Sequence, residues 1–114
     1  MKMLIAAAAF LAAGMSTAEA AQHRCAADAI KHAGELLTLH FNGGVEGPIE
    51  NMGIDDDVKT LAPLKALKGN GKFDVLEVWG YIYKGEYRMR FIYAQIEDEC
   101  VLMGQEILES ADPY

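Results

Sequence analysis

The residues best suited to chemistry are the histidines and an acid within one helical segment. His32 and Glu35 are three positions apart, and His40 lies about two helical turns beyond His32. Histidine is the usual catalytic base and a frequent metal ligand. The segment contains no H-E-x-x-H sequence, and eight positions drift by about 80° around a helix. The spacing therefore favours polar positions on a solvated helix face over a metal site.

The acidic run Asp55–Asp57 is a second candidate for a metal site, because calcium binds carboxylate oxygens. An EF-hand loop requires glycine at its sixth position and glutamate at its twelfth. Counted from Asp55, these positions hold Thr60 and Ala66. A capping or solvated acidic loop fits better, and we predict that the protein uses no metal and no cofactor.

Nucleophilic catalysis lacks its usual residues in this chain. There is no G-x-S-x-G sequence, and the only serine after residue 20 is Ser110, close to the C-terminus. Cys25 and Cys100 lack the C-x-x-C spacing of redox sites. No pair among the many acidic residues is singled out for glycoside cleavage. We therefore predict that the protein is not an enzyme.

The first residues predict a cleaved export signal. Lys2 is followed by an apolar run at residues 3–13 and then by Ala18-Glu19-Ala20, small residues at the spacing that a signal peptidase requires. The run of about 11 residues is shorter than the ~20 that a membrane-spanning helix needs. We expect loss of residues 1–20 and a single periplasmic or secreted domain at 21–114, no longer attached to the membrane. A retained N-terminal anchor is the alternative.

Charge and cysteine content narrow the partners and the compartment. Ten Lys and Arg against 17 Asp and Glu give a net charge of -7, which argues against nucleic acid and anionic lipid surfaces as partners. Cysteines in an oxidising compartment pair unless something prevents it. We predict a disulfide between Cys25 and Cys100 that ties the start of the domain to its end.

Residues 22–41 predict a helix with one buried stripe. The helix ends at Asn42-Gly43-Gly44. Leu36 and Leu39 widen the apolar face, as expected for a helix that lies across a sheet. The stripe itself consists of apolar residues three and four positions apart: Ala26, Ala29, Ile30, Ala33, Leu37 and Phe41.

Residues 45–57 are rich in glycine and acid without a sustained period, and they predict a loop. Residues 58–67 have helix-like spacing, but Pro63 in the middle would break a helix. An edge strand tolerates proline, so we predict an edge strand there, with a helix as the alternative. Residues 68–72 form a turn.

Residues 74–91, DVLEVWGYIYKGEYRMRF, alternate strongly and predict a hairpin with a two-residue turn at Lys84-Gly85. An even-length turn fixes which residues share a face. We expect the helix to cover the core face. This face holds four cross-strand pairs: Ile82 with Tyr87, Gly80 with Met89, Val78 with Phe91, and Leu76 with Tyr93.

The side of the sheet that faces away from the helix is called the second face below. Its candidate partner-binding residues are Trp79, Tyr81, Tyr83, Arg88 and Arg90, with Trp79 opposite Arg90 and Tyr81 opposite Arg88. Trp, Tyr and Arg are enriched in interface hot spots, so an exposed second face predicts a contact surface. Alternatively, the 45–57 loop, the C-terminal tail or stacked arginines cover these rings.

A last strand at residues 100–108 follows a three-residue acidic loop and should send Val101, Met103 and Ile107 to the core face. The predicted fold is α+β, with one N-terminal helix packed on a four-stranded antiparallel meander. In the order of its elements this layout is similar to cystatin-like folds. The chain has no Q-x-V-x-G sequence, so the resemblance carries over no site residues.

These features predict a small exported, non-catalytic protein-binding domain, such as an inhibitor, an immunity-type factor or an envelope accessory factor. Its partner would be another protein or a second copy, bound through the second face. The alternative is a carrier of a small apolar ligand held between helix and sheet. Phe91, Met89, Met103 and Leu37 would line that site.

Overall fold

The computed structural model describes residues 22–42 and 49–110. One helix, α1 (Ala26–Asn42), precedes five strands. The strands are β1 (Met52–Ile54), β2 (Lys59–Lys65), β3 (Lys72–Ile82), β4 (Gly85–Ile96) and β5 (Glu99–Glu109). The α+β class is thus confirmed. The predicted signal at residues 1–20 and the tail after residue 110 lie outside the described residues.

The helix predicted at residues 22–41 is present and begins slightly later. Its buried face consists of Ala26, Ala29, Ala33, Leu36 and Leu37. Phe41 and Leu39 are about half exposed, which corrects the predicted extent of the stripe. Phe41 lies on the same side of the helix as the stripe, but the buried part of that side ends at Leu37. No helix in the part of the chain that the structure describes is long and apolar enough to cross a membrane.

The sheet is antiparallel, with strand order β1-β3-β4-β5, and β2 also pairs with β3. β1 and β2 share one edge of β3, β1 beside residues 80–82 and β2 beside residues 72–77. The four-strand prediction missed β1, which lies in the segment predicted as a loop. Three residues, Met52-Gly53-Ile54, are too few to show a period of two.

The prediction of an edge strand at residues 58–67 is confirmed by β2. Its pairing with β3 shifts register between Leu61 and Leu64, so Pro63 lies within an irregularity of the ladder. Proline has no backbone donor and is tolerated at bulges and on edge strands. The same residue that excluded a helix therefore interrupts the strand locally without ending it.

The β3–β4 hairpin has its turn one residue earlier than predicted. Ile82 pairs with Gly85, so the turn is Tyr83-Lys84, and Tyr83 has a positive φ of 53°. Gly85 instead permits close approach, because a Cβ there would lie 3.1 Å from the Tyr87 ring. The register moves by two residues relative to the prediction. Such a slip leaves every side chain on its predicted face.

The β4–β5 hairpin turns on two residues, Glu97-Asp98, and not on the predicted three. Both have positive φ, 52° and 65°, as tight hairpin turns require. A register shift then leaves Met103 unpaired, half exposed and outside the core. Because the turn is shorter, the positions predicted to face the core are wrong for Val101 and Met103. Ile107 packs against the core as predicted, opposite Met89.

The core lies between α1 and the sheet, and the predicted disulfide closes one end of it. Cys25 and Cys100 are bonded, with a sequence separation of 75. At the other end, a Cβ on Gly80 would lie 2.9 Å from Leu37 Cδ2 and 2.9 Å from Met89 Cε. The helix therefore approaches the sheet closely. The largest fully buried side chains are Tyr93, Phe91, Leu37, Leu76, Met89 and Val78.

Candidate functional site

The second face carries no helix within residues 22–42 and 49–110, since α1 packs on the other side of the sheet. Alternation along β3 places Val75, Glu77 and Trp79 on this face. Arg88 and Arg90 of β4 lie directly across from Trp79 and Glu77. Two neighbouring strands thus bring aromatic, acidic and basic side chains together.

Glu77 is the centre of this arrangement. It is only 8% exposed and is the one buried charged residue in the described part of the chain. Trp79 Nε1 donates a hydrogen bond to Glu77 Oε1 at 3.1 Å, and Arg90 Nε donates to Oε2 at 3.0 Å. One carboxylate therefore fixes both the indole ring and a guanidinium group.

A second carboxylate completes the array from β5. Glu106 Oε1 lies 3.6 Å from Arg88 Nη2 and 3.9 Å from Arg90 Nη1. Arg88 Nε lies 4.0 Å from Glu77 Oε2, and it is buried without a hydrogen-bond partner. The two arginines are thus held between two glutamates. We call these five residues, Glu77, Trp79, Arg88, Arg90 and Glu106, the Trp–Arg array.

The predicted partner-binding residues divide into two groups. Trp79, Arg88 and Arg90 are partly buried within the array, although Trp79 faces Arg88 and reaches Arg90 only through Glu77. Tyr81 pairs with Glu86 and is 37% exposed. Tyr83 lies in the turn, 74% exposed, with Lys84 Nζ 5.5 Å from its ring centroid. The predicted pairs of Trp79 with Arg90 and of Tyr81 with Arg88 are therefore wrong.

Two shallow recesses flank the array along the strands. The acidic recess, about 470 Å³, is lined by Asp55, Lys59, Glu77, Trp79, Tyr81 and Glu86. The apolar recess, about 360 Å³, is lined by Leu61, Ala62, Leu64, Val75, Arg90, Ile92 and Glu106. The second face is therefore acidic and aromatic at one end and aliphatic at the other.

Glu77 is not among the residues predicted from the sequence to bind a partner, although alternation with Trp79 along the predicted strand places it on the same face. The sequence does hold one indication of its role. Glu77 precedes Trp79 by two residues on the same strand, and the next strand carries Arg88 and Arg90. Glutamate is almost never fully buried unless it is paired, so its burial depends on neighbours from other strands. The role of Glu106 could not be predicted from the sequence, because the register shift near Met103 determines which residues of β4 lie beside it.

A separate polar chain joins α1 to the sheet. Tyr93 is fully buried and donates a hydrogen bond from its hydroxyl to Asp28 Oδ2 at 2.8 Å. His32 Nε2 lies 3.2 Å from the same oxygen, and His32 Nδ1 lies 3.2 Å from Glu35 Oε1. His32 therefore lies between two carboxylates, whereas the sequence predicted a solvated position without such partners. Among the described residues, no group of three or more His, Cys, Asp or Glu could hold a metal ion.

A second polar cluster surrounds the disulfide. His23 accepts a hydrogen bond at Nδ1 from the Cys25 backbone, and its Nε2 lies 3.3 Å from Asp74 Oδ2. Gln95 Nε2 donates to the same carboxylate at 2.9 Å and lies 3.2 Å from Cys25 Sγ. These contacts fix the chain just before α1 to strands β3 and β4.

Alkaline pH should destabilise the fold through Tyr93. Burial raises the pKa of its hydroxyl, and the hydrogen bond to Asp28 and that carboxylate's charge raise it further. In the unfolded chain tyrosine ionises at pH ~10, so above that pH the unfolded state gains stability, up to ~1.4 kcal/mol per pH unit. Stability is therefore fully present below about pH 10 and falls above it. Burial and then Glu109 raise the pKa of Tyr87, which acts in the same direction.

Urea unfolding at pH 8 to 11.5 measures this effect. At pH 8, Tyr93→Phe should lower the free energy of unfolding by about 1 kcal/mol, because it removes the hydrogen bond to Asp28. Above about pH 10, the free energy of unfolding of this variant should fall less steeply with pH than that of the wild type. Tyr83→Phe, at an exposed turn, is the matched control and should follow the wild type. An unchanged slope in the Tyr93 variant would mean that this hydroxyl is not the buried group.

Compared with known families, curated proteins and solved structures, this chain matches no family model, no curated protein and no solved structure. The resemblance to cystatin-like folds is limited to a helix followed by antiparallel strands, since five strands are present and two of them share one edge of β3.

Proposed function

We propose that the protein is a small exported, non-catalytic protein-binding domain that contacts its partner through the second face. An inhibitor, an immunity-type factor or an envelope accessory factor would act in this way. The supporting observation is the Trp–Arg array, in which Glu77 fixes Trp79 and Arg90 on a side of the sheet that α1 does not cover.

The array suits protein recognition because its side chains are ordered before binding. Side-chain ordering at an interface costs about 0.5–1.5 kcal/mol for each flexible residue, and a hydrogen-bonded side chain has lost part of that freedom already. Trp and Arg are the residue types that most often dominate interface energetics. The apolar recess beside Arg90 and the acidic recess beside Trp79 add selectivity for the shape and charge of the partner.

Glu77 is poorly placed for catalysis, because it is only 8% exposed and each of its oxygens accepts a hydrogen bond, one from Trp79 and one from Arg90. The Cys25–Cys100 disulfide is compatible with the oxidising compartment that periplasmic or secreted proteins encounter. The carrier alternative stays a prediction without support from the packing, because Leu37 and Met89 already meet beside Gly80 and Met103 lies elsewhere.

A double variant tests the proposal. Trp79→Ala with Arg90→Ala should lose partner binding, because it removes two members of the array. It should stay folded, because it removes no core side chain and opens the carboxylate of Glu77 to water. Immobilised protein is incubated with the envelope fraction of its host, and the retained polypeptides are identified by mass spectrometry. Phe41→Ala, a half-exposed aromatic residue on the helix, is the matched control and should retain the same polypeptide as wild type.

The stability of Trp79→Ala distinguishes a contact residue from a core residue. A half-buried ring should cost about 1–2 kcal/mol of unfolding free energy, whereas ~3 kcal/mol or more indicates a core side chain. A folded double variant that retains the wild-type partner would contradict the proposal. The proposal would also be contradicted if the wild-type protein retained no polypeptide beyond those that the double variant retains.

A further inference from the structure

The outer edge of β5 is a second surface with its own chemistry. β5 (Glu99–Glu109) is the last strand of the sheet and pairs with β4 alone among the described strands. An unpaired strand edge presents a row of backbone donors and acceptors that another strand can complete. This edge is eleven residues long, which makes it a large exposed feature for so small a domain.

The two edges of the sheet differ in their protection. β2, at the opposite edge, contains Lys59, Pro63 and Lys65 together with a shift in register, and each of these discourages pairing with another chain. β5 contains no lysine and no proline. Its irregularity at Met103 divides it and leaves the six residues 104–109 as one uninterrupted stretch.

A groove follows the helix side of this edge. It has a volume of about 340 Å³ and is lined by three leucines and three polar or charged residues. An added strand would direct every second side chain towards this groove. Main-chain hydrogen bonds would supply affinity, and the groove would select the side chains. The lining residues are His32, Glu35, Leu36, Leu39, Leu102 and Gln105.

The charge of the edge decides which occupant it suits. β5 carries Glu99, Glu106 and Glu109 and no basic residue. A second copy would place acidic strand against acidic strand in molecules that each have a net charge of -7. Like charges across neighbouring strands destabilise pairing, whereas opposite charges stabilise it. Charge complementarity therefore favours a basic strand from a different protein.

We propose that residues 104–109 of β5 bind an antiparallel strand of a partner protein by extending the sheet. The partner strand alternates apolar residues, which enter the groove beside Leu36 and Leu102, with Lys or Arg on its other side. Those cations lie on the side of the sheet that carries Glu106, which is 56% exposed at its side chain. This site goes beyond the second-face proposal: it shares Glu106 with the Trp–Arg array, but it does not require that the second face binds a partner.

A synthetic peptide tests the site with the mature protein. The probe is an acetylated, amidated octapeptide that alternates Lys and Val. Binding is followed by NMR, with hydrogen exchange of the backbone amides as the readout. The probe should slow exchange at amides of residues 104–109 and shift the signals of Leu36 and Leu102. Two matched peptides are controls: one replaces every Lys with Glu, and one carries N-methyl groups on alternate amides.

Both control peptides should bind at least about tenfold more weakly than the probe, which corresponds to ~1.4 kcal/mol. Gln105→Lys should weaken probe binding to a similar degree, because it adds to β5 a positive charge that repels the cationic probe. Thr60→Lys places the same residue on the exposed β2 edge and should leave probe binding unchanged. Trp79→Ala should also leave it unchanged, which separates this site from the second face.

Three results would overturn the proposal. Equal binding of the N-methylated peptide would mean that attraction is purely electrostatic. Loss of probe binding in Trp79→Ala would place the peptide on the second face. Sedimentation equilibrium that shows a dimer of the wild type, abolished by Gln105→Lys, would identify a second copy as the occupant of the edge.

Discussion

Replacing Cys25 and Cys100 together with alanine should lower the free energy of unfolding by about 4 kcal/mol in the chain-entropy model. The bond closes a loop with a sequence separation of 75, so its loss restores much conformational freedom to the unfolded chain. Stabilities of small domains lie at about 5–15 kcal/mol, so this change removes a large fraction of the total. The double variant should unfold near physiological temperature or fail to fold.

Urea unfolding of the oxidised wild type, the reduced wild type and the double variant measures this contribution. The reduced protein and the variant should agree within about 1 kcal/mol, because both lack the same link. The contacts of Gln95 and His23 around Cys25 hold the same region but cannot replace a covalent bond. A loss below about 1 kcal/mol would show that these polar contacts alone fix the chain end to the sheet.

Phe91→Ala should cost about 3–5 kcal/mol, the largest expected effect of a single substitution. Phe91 is fully buried in the middle of β4, between Leu76 on β3 and Gln105 on β5. Its ring lies 6.4 Å from that of His32, so it also contacts the helix. Truncation leaves a cavity where the helix meets the centre of the sheet, and the packed surroundings can fill it only in part.

Thermal and urea unfolding measure the cost, and Phe41→Ala is the matched control. Phe41 is half exposed on the last turn of α1, so its truncation should cost less than about 1 kcal/mol. A similar loss for both variants would place the core further along the helix than Leu37. A loss below about 1 kcal/mol for Phe91→Ala would mean that the assignment of the two sheet faces is wrong.

The faces of the β3–β4 hairpin were predictable from alternation alone, but its register was not. Side chains have a period of two, so an error of two residues in the pairing leaves Phe91 inside and Trp79 outside. The register depends on the turn, and the turn depends on the positive φ of Tyr83. The sequence does not indicate that Tyr83 adopts a positive φ, because Gly85, two positions later, adopts that conformation more readily than an aromatic residue does.

The Trp–Arg array could be predicted only in part. Its aromatic and arginine members were identified from residue type and alternation, whereas Glu77 resembled an ordinary solvent-facing acid. Glu77 is paired with Arg90 on the neighbouring strand β4, and Arg90 in turn lies 3.9 Å from Glu106 on β5, whose position depends on the irregularity at Met103. The link between Tyr93 and Asp28, 65 positions apart, is equally invisible to local patterns.

Solute quenching of Trp79 fluorescence tests the central claim most directly, because Trp79 is the only tryptophan in the protein. In the free protein, acrylamide should quench it with an efficiency between those of a free and a fully buried indole. Binding of the partner retained from the envelope fraction should lower that efficiency to the buried value. Quenching already at the buried value in the free protein would contradict the account, because the second face would then be covered by the chain itself and closed to a partner.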